Sequence, residues 1–165
     1  RTSAAIDNQK IWAGLKLTND QLPETDANQA YFYFATDATN GQLLSSYTPL
    51  YFMYSIAGAD YTTNTGITVA ASTNYHLKIK FDSDRKMSIF VNGRPYGLAT
   101  TATTTFDGTT SVTGTTQATI DNNIQKSTAM TNDIDLIPYI GIEAGDGAAA
   151  ALDVQYEAIS RLIFE

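Results

Sequence analysis

The sequence predicts an all-β protein built as an antiparallel β-sandwich. Short stretches alternate between apolar and polar residues, which is the pattern of strands with one buried face. Turn residues such as Asn-Gly separate these stretches at short intervals. Ten tyrosines, seven phenylalanines and many threonines add a residue bias towards strands. Neither a long amphipathic helix nor an internal repeat is found, which agrees with the all-β class.

Four strands are predicted in the first half of the chain, over residues 11–17, 31–34, 50–56 and 66–70. In the first strand, Ile11 and Leu15 share one face, whereas Trp12 lies on the other. The second strand has aromatic residues at consecutive positions, so we expect it to be covered on both faces. Residues 18–28 are predicted to form a polar loop, and residues 37–41 an Asn-Gly type turn.

The clearest element is a β-hairpin over residues 75–93, YHLKIKFDSDRKMSIFVNG. Both arms alternate, and their apolar residues fall on one face: Tyr75, Leu77, Ile79, Phe81, Met87, Ile89 and Val91. A polar turn at residues 83–86 joins the arms. Asn92-Gly93 supplies the two residues that most readily accept positive φ in a tight turn.

Two strands and one long loop are predicted after the hairpin. Residues 99–133 are rich in Thr, Ser, Asn and Gly, and so long a loop is either functional or disordered in most domains. Residues 134–144 form a strand in which Pro138 favours a strand start or a sheet edge. Residues 152–164 form the last strand, with a bulge near Ala158 because the apolar parity changes there.

Length and charge limit the classes of function. The 165 residues suit a single domain, 1–165, and residues 1–5 are expected to be the end of a strand that begins upstream. A net charge of −7 argues against a nucleic-acid surface and against adhesion to anionic membranes. No apolar run reaches the roughly 20 residues of a membrane-spanning helix. The chain has no cysteine, hence no disulfide framework.

The acidic residues do not form a catalytic pattern. Glycosidases need two carboxyl groups flanking the scissile bond, and glucanases with this architecture carry them at alternate positions of one strand. The candidates here are Glu24 with Asp26, Asp133 with Asp135, and Glu143 with Asp146, and each is better explained as a turn or edge acid. His76 is the only histidine and is predicted on the outward face of the hairpin. We assign no catalytic, metal or cofactor-binding residue.

Two kinds of ligand, calcium and carbohydrate, have candidate residues in the sequence. Calcium oxygen donors could come from Asp82 with Asp84, Asp37 with Asn40, or residues 121–123, but none of these matches a dedicated loop, and turn preference explains the first pair. Aromatic platforms bind carbohydrate, and six rings are candidates: Trp12, Tyr31, Tyr33, Tyr51, Tyr54 and Tyr96. The alternative for these rings is packing between the two sheets or against a neighbouring chain.

Two segments carry a family resemblance. TGITVAASTNYHLKIKFDSDRKMSIFVNGRPYGL, residues 65–98, resembles the strand–hairpin–strand signature of concanavalin A-like jelly rolls, which include legume lectins, laminin-G domains and pentraxins. Within that group the sequence is most similar to structural proteins of tailed-phage virions, and PYIGIEAGDG, residues 138–147, shares the likeness. The resemblance covers about the second half of the chain, and its motif is more specific for fold than for function.

The resemblance implies a capsid decoration, or cement, protein on the exterior of a virion. Such a protein would bind the major capsid protein or other virion subunits at capsomer junctions. We expect the 99–133 loop and one edge strand to make the contacts, and a homo-oligomer, with a trimer favoured. No enzymatic activity, nucleic acid or membrane is expected. The alternative is an extracellular carbohydrate-binding module of a tail fibre or secreted adhesin.

Overall fold

A computed structural model of the chain describes residues 1–2, 6, 9–19, 26–35, 49–102, 115–116, 126–144, 151–155 and 157–160. Over these residues the protein is all-β and has no helix, so none of them belongs to a helix that could cross a membrane. The predicted all-β, antiparallel fold class is therefore confirmed. Predictions for residues 37–41 and for residues 3–5 lie outside the described ranges.

The described strands form two sheets. In chain order they are β1 (Gln9–Lys16), β2 (Gln29–Ala35), β3 (Pro49–Ile56), β4 (Ala59–Thr68), β5 (Leu77–Phe81), β6 (Met87–Val91), β7 (Arg94–Tyr96), β8 (Thr115–Thr116) and β9 (Ile137–Ala144). The large sheet has the order β8-β4-β3-β2-β1-β9, and the small sheet has the order β5-β6-β7. All pairings are antiparallel except the short parallel pairing of β8 with β4.

The sheets pack against each other through a shared core, as a sandwich requires. Alternate residues of β2 and β3 point towards the small sheet and meet Met87, Ile89 and Val91 of β6. Phe32 and Phe52 pack edge to face with their ring centroids 5.0 Å apart. Burying each such side chain stabilises the fold by about 1.5–3 kcal/mol.

The predicted hairpin forms β5 and β6, with its apolar face turned towards the core. Met87, Ile89 and Val91 are buried, as the alternation predicts. Phe81 differs from the prediction, because it ends β5 and its side chain is 36% exposed. Asn92 and Gly93 have φ values of 50° and 79°, so the predicted positive-φ turn is confirmed and leads directly into β7.

The fourth strand was predicted too short. β4 begins at Ala59, directly after a turn in which Ala57 and Gly58 have φ values of 50° and 81°. Residues 60–65 are mostly polar, and the prediction left them out of the strand. Threonine is β-branched and fits a pleated sheet well, so Thr62, Thr63 and Thr65 are buried within β4.

The long loop is attached to its own chain at both ends. The Ala99 N–H donates to Thr63 Oγ1 at 2.8 Å. At the other end, Ser127 exchanges hydrogen bonds with the Met87 backbone, accepting at Oγ and donating from its own N–H. Met130 is buried in the inter-sheet core. The described ends of this segment therefore belong to the sandwich, whereas residues 103–114 and 117–125 lie outside the described ranges.

The last predicted strand, 152–164, is not found in its described residues. Leu152 forms one isolated bridge with Thr2, and residues 153–155 and 157–160 lie outside any strand. No ladder runs through Ala158, so the predicted bulge is also wrong there. An alternating sequence forms a strand only where a neighbouring strand supplies backbone hydrogen bonds and other residues cover its apolar face. This apolar face is not covered, because Val154 and Ile159 are 53% and 75% exposed.

Candidate functional site

The face of the large sheet that points away from the small sheet is lined with aromatic side chains. This aromatic face consists of Trp12, Tyr31, Tyr33, Ala35, Tyr51 and Met53, with Tyr139 packed against them. It exists because β1, β2 and β3 carry large side chains at alternate positions on both sides. β2 has four consecutive aromatic residues, and all seven of its residues are buried. The expectation that β2 is covered on both faces is confirmed.

Strand register brings these rings into contact. Trp12 lies opposite Tyr33 on β2 and opposite Gly141 on β9. Its indole lies over Gly141, so a Cβ added there would overlap Cζ2 and Cε2 of the ring and lie 2.6 Å from Nε1. The indole also stacks on Tyr139, with centroids 6.0 Å apart and the planes inclined by 22°. Gly141 therefore provides the space that the indole occupies.

A row of polar side chains crosses one end of the same face. Lys16, Gln29, Ser55 and Asp60 are successive cross-strand neighbours on β1 to β4, and all are buried. Gln29 Nε2 donates to Ser55 Oγ at 3.1 Å, and Ser55 Oγ donates to Asp60 Oδ1 at 2.6 Å. Lys16 Nζ lies 4.8 Å from the centroid of the Tyr139 ring. The cation–π contact ties the polar row to the aromatic rings.

Three buried polar atoms on this face have no hydrogen-bond partner within the described part of the chain. They are Trp12 Nε1, Gln29 Oε1 and Thr62 Oγ1, which include both donors and acceptors. Buried polar groups are nearly always paired, so each of these atoms calls for a partner such as a water molecule or a ligand hydroxyl. Rings with spare donors and acceptors beside them have the chemistry of a saccharide site, although the Trp12 side chain is only 6% exposed.

The structure divides the six predicted aromatic candidates between two places. Trp12, Tyr31, Tyr33 and Tyr51 lie together on the aromatic face, whereas Tyr54 and Tyr96 contribute to the inter-sheet core. Packing between the two sheets thus describes Tyr54 and Tyr96, whereas the other four rings are buried on the opposite face of the large sheet. Residue parity would have found Lys16, which lies on the same face of β1 as Trp12. The place of Asp60 in the buried polar row could not be predicted, because the predicted fourth strand begins after residue 60.

The hydroxyl group of Tyr54 is buried in the inter-sheet core. Its hydroxyl donates to the carbonyl oxygen of Ala99, and its ring stacks on Tyr61 with centroids 4.5 Å apart. Burial, with a smaller contribution from Tyr61, raises the pKa of Tyr54 well above its ordinary value of 10.0. The hydroxyl therefore stays neutral and acts as a hydrogen-bond donor.

The calcium candidate Asp82/Asp84 is explained by the turn. Asp82 Oδ1 accepts the N–H groups of Asp84 and Lys86, both at 2.9 Å, and Oδ2 lies 2.7 Å from Lys126 Nζ. Hydrogen bonds from Lys126 and then Lys86 lower the pKa of Asp82 to about 2. Oδ1 thus serves the turn, and Oδ2 serves the ion pair with Lys126. Within the described residues no group of three or more His, Asp or Glu could hold a metal, and residues 37–40 and 121–123 lie outside them.

The remaining acidic candidates are separate in the described structure. Asp26 caps the end of β1, since its Oδ2 accepts the N–H groups of Leu17 and Thr18 at 2.8 Å each. Glu143 pairs with Lys10 at 3.2 Å on the β1/β9 edge. Asp133 and Asp135 are exposed. Glu24 and Asp146 lie outside the described ranges, and the histidine is exposed as predicted.

Two isoleucines are partly exposed on the edge strand β9, one on each of its faces. Within the described chain β9 pairs only with β1 and is the last strand of the large sheet. Its Ile137 and Ile140 side chains are 40% and 37% exposed, and Leu17, just after β1, is 37% exposed. Pro138 lies at the second position of this edge strand, as the sequence predicts. An exposed strand edge is a template for pairing with another chain, and Pro138 and the exposed Glu143 are features that oppose such pairing along β9.

Comparisons with known protein families, with curated proteins and with solved structures return no match. The functional proposals therefore depend on the chain's own residues and geometry, together with the resemblance in residues 65–98 and 138–147.

Proposed function

We propose that the chain is a concanavalin A-like jelly roll that serves as a structural protein of a tailed-phage virion, on the capsid exterior. The observation that carries this proposal is the exposure of Ile137 and Ile140, 40% and 37%, on β9, the last strand of the large sheet within the described chain. Exposed isoleucines on a strand that has no described neighbour on its outer side support an interaction surface there. The resemblance to virion proteins supplies the class of partner.

The proposed mechanism is cementing of neighbouring capsid subunits. A stable protein interface buries about 800 Å² on each partner, and one strand edge exposes too few side chains to do this alone. The 99–133 segment is proposed to share the contact, because its described ends are held firmly to the sandwich by Thr63 and Met87. Binding only to the assembled shell stabilises that state by mass action.

Co-sedimentation with capsids of the source phage, stripped of their outer proteins, tests the proposal. The chain is expected to co-sediment, and Ile140→Glu is expected to weaken binding because it places a charge in the apolar contact. Ser83→Glu is the matched control, since it adds the same charge on an exposed turn of the small sheet. The proposal fails if the purified chain neither binds capsids nor is recovered with virions.

The second candidate is carbohydrate binding in a tail fibre or adhesin. It is favoured by the gathering of four predicted rings beside the unpaired Trp12 Nε1, Gln29 Oε1 and Thr62 Oγ1. A saccharide would stack on these rings and satisfy those atoms, but the face must open first because Trp12 is 6% exposed.

The chain contains a single tryptophan, so its fluorescence reports directly on the aromatic face. A glycan array identifies a ligand, and titration of that glycan is expected to shift the Trp12 emission. If no glycan on the array binds and the Trp12 emission does not change, carbohydrate binding is ruled out. The capsid proposal is not affected by that result.

A further inference from the structure

We propose that the outer face of the small sheet binds an acidic peptide, a segment that carries Asp or Glu at alternate positions. Leu77, Ile79 and the alternate residues of β6 point into the inter-sheet core, so the residues between them point outwards. This basic face consists of the outward residues of β5, β6 and β7 together with Lys86, which directly precedes β6: Lys78, Lys80, Lys86, Ser88, Phe90 and Pro95. The inference goes beyond the proposed virion role, because the capsid contact is proposed for β9 and the 99–133 segment.

Positive charge is concentrated around the small sheet, although the chain as a whole is acidic. Residues 75–98 contain five of the ten lysines and arginines but only two of the seventeen aspartates and glutamates. Five cations against two carboxylates give this segment a net charge of +3, whereas the whole chain has −7. The two carboxylates are Asp82 and Asp84 in the turn, and both oxygens of Asp82 are already bonded, to the turn and to Lys126.

The lysines of the basic face are exposed and form no ion pair within the described residues. Lys78, Lys80 and Lys86 all point into solvent. The two ion pairs of the described chain join Lys10 to Glu143 and Lys126 to Asp82, so neither involves these lysines. Like charges that share one face of a sheet repel each other, and a carboxylate placed between them relieves that repulsion. The face therefore favours a partner that carries carboxylates.

An apolar patch lies among these cations. Phe90 is half-buried and lies between Lys78 and Pro95 in the strand register, and Pro95 is exposed. Lys78 Nζ lies 5.6 Å from the centroid of the Phe90 ring, so the ammonium group is held beside the patch. The backbone and small side chains of a peptide can thus lie against Phe90 and Pro95 while its carboxylates meet the lysines.

The spacing of the lysines matches that of an extended peptide. Residues two apart on one strand are separated by about 6.6–6.8 Å, so carboxylates at alternate positions of an extended peptide repeat at the distance that separates Lys78 from Lys80. Nucleic acids and anionic membranes match less well, because their charges continue beyond strands of five residues and would meet the acidic remainder of the chain. Charges more than about 8 Å away are largely screened at physiological salt, so a short peptide above the face responds mainly to the lysines.

A nuclear magnetic resonance titration of the isotope-labelled chain tests the proposal. The probe is a short synthetic peptide of alternating glutamate and threonine, and the control peptide has glutamine in place of glutamate. The glutamate peptide should shift the amide signals of Lys78, Lys80 and Phe90 and bind about threefold to a hundredfold more tightly than the control, with a preference that falls as salt is raised. Equal affinity for the two peptides, shifts confined to other parts of the chain, or no shift at all overturns the proposal.

A matched pair of variants separates the basic face from the net charge. Lys78→Gln combined with Lys80→Gln changes two exposed side chains, so the fold should persist while the preference for the glutamate peptide is lost. Thr68→Glu combined with Ser160→Glu lowers the net charge by the same amount at exposed positions outside the small sheet, and the preference should remain. An unchanged preference in the lysine variant overturns the proposal.

Two other occupants of the basic face are distinguished in the same experiment. Tighter binding of a single-stranded oligonucleotide would assign the face to nucleic acid. Shifts of the same signals that depend on protein concentration, without any peptide, would assign it to a second copy of the chain. Either result overturns the peptide proposal. Capsid binding is measured separately, so this proposal and the virion role can each fail alone.

Discussion

Replacing Gly141 by alanine is expected to displace the Trp12 indole from its place on the aromatic face. The two residues lie opposite each other on β9 and β1, and the added methyl group would overlap two carbon atoms of the ring. Gly141 does not have positive φ, so its backbone accepts alanine without strain. The cost therefore arises from side-chain overlap alone.

The magnitude follows from two opposing effects. Inserting a methyl group into a packed site costs about 1–3 kcal/mol, because the neighbouring side chain leaves its preferred position. Replacing glycine by alanine at an unstrained position contributes about 0.4–1 kcal/mol in the other direction, through the entropy of the unfolded chain. In the protein with Trp12 present, the cost of the methyl–indole overlap exceeds the entropic gain. Gly141→Ala should therefore destabilise the fold. After Trp12→Leu the overlap is removed, and the same change should stabilise it.

Urea unfolding followed by far-UV circular dichroism measures both backgrounds, and Trp12 emission of Gly141→Ala reports the displaced indole. Gly14→Ala is the contrasting variant, because its added Cβ would overlap the Ala30 carbonyl oxygen and the Tyr31 Cα, which are backbone atoms. That cost should persist after Trp12→Leu. If Gly141→Ala has the same effect in both backgrounds, the contact with Trp12 is not what limits this position and the reasoning is refuted.

Three further variants test other parts of the structure. Asp82→Asn removes the ion pair with Lys126; because the folded pKa of Asp82 is lowered to about 2, the stability of the wild type over the variant should be present above pH 3.8 and vanish as the pH falls towards 2. An unchanged difference in melting temperature across that range would contradict this. Tyr54→Phe should cost about 1–3 kcal/mol by leaving the buried Ala99 carbonyl without its donor. Because the folded pKa of Tyr54 is raised, wild-type stability should fall as the pH rises above 10.0, and the variant should show a smaller fall; equal slopes would argue against it. Phe52→Ala should cost about 3–5 kcal/mol in urea unfolding, and a cost near zero would mean that the sheets do not share this core.

Much of the fold was predictable because alternation is a local property. The faces of β1, β5 and β6, the double cover of β2 and the Asn92-Gly93 turn all follow from residue types within a few positions of one another. The strand prediction failed where local type and surroundings disagree. Buried threonines made β4 longer than predicted, and the absence of a described neighbouring strand leaves residues 153–155 outside any sheet.

The candidate site was only half predictable. Parity places Trp12 on a different face from Ile11, so the existence of aromatic side chains on two faces was evident from the sequence. Parity does not say which strands become neighbours or which residues lie opposite each other. Trp12 meets Gly141 and Tyr139, more than a hundred positions later, only because β9 pairs with β1 in one particular register.

The amino-acid order alone determined the all-β class, the inward and outward sides of β1, β5 and β6, and the positive-φ turn at Asn92-Gly93. These depend on backbone preferences and side-chain size, which act between near neighbours in the chain. The folded chain decided which rings meet, that they are buried, and that β9 is the last strand of the large sheet within the described residues. Those properties depend on long-range pairing, in which the free energy of contacts between distant segments selects one arrangement among many with the same local pattern.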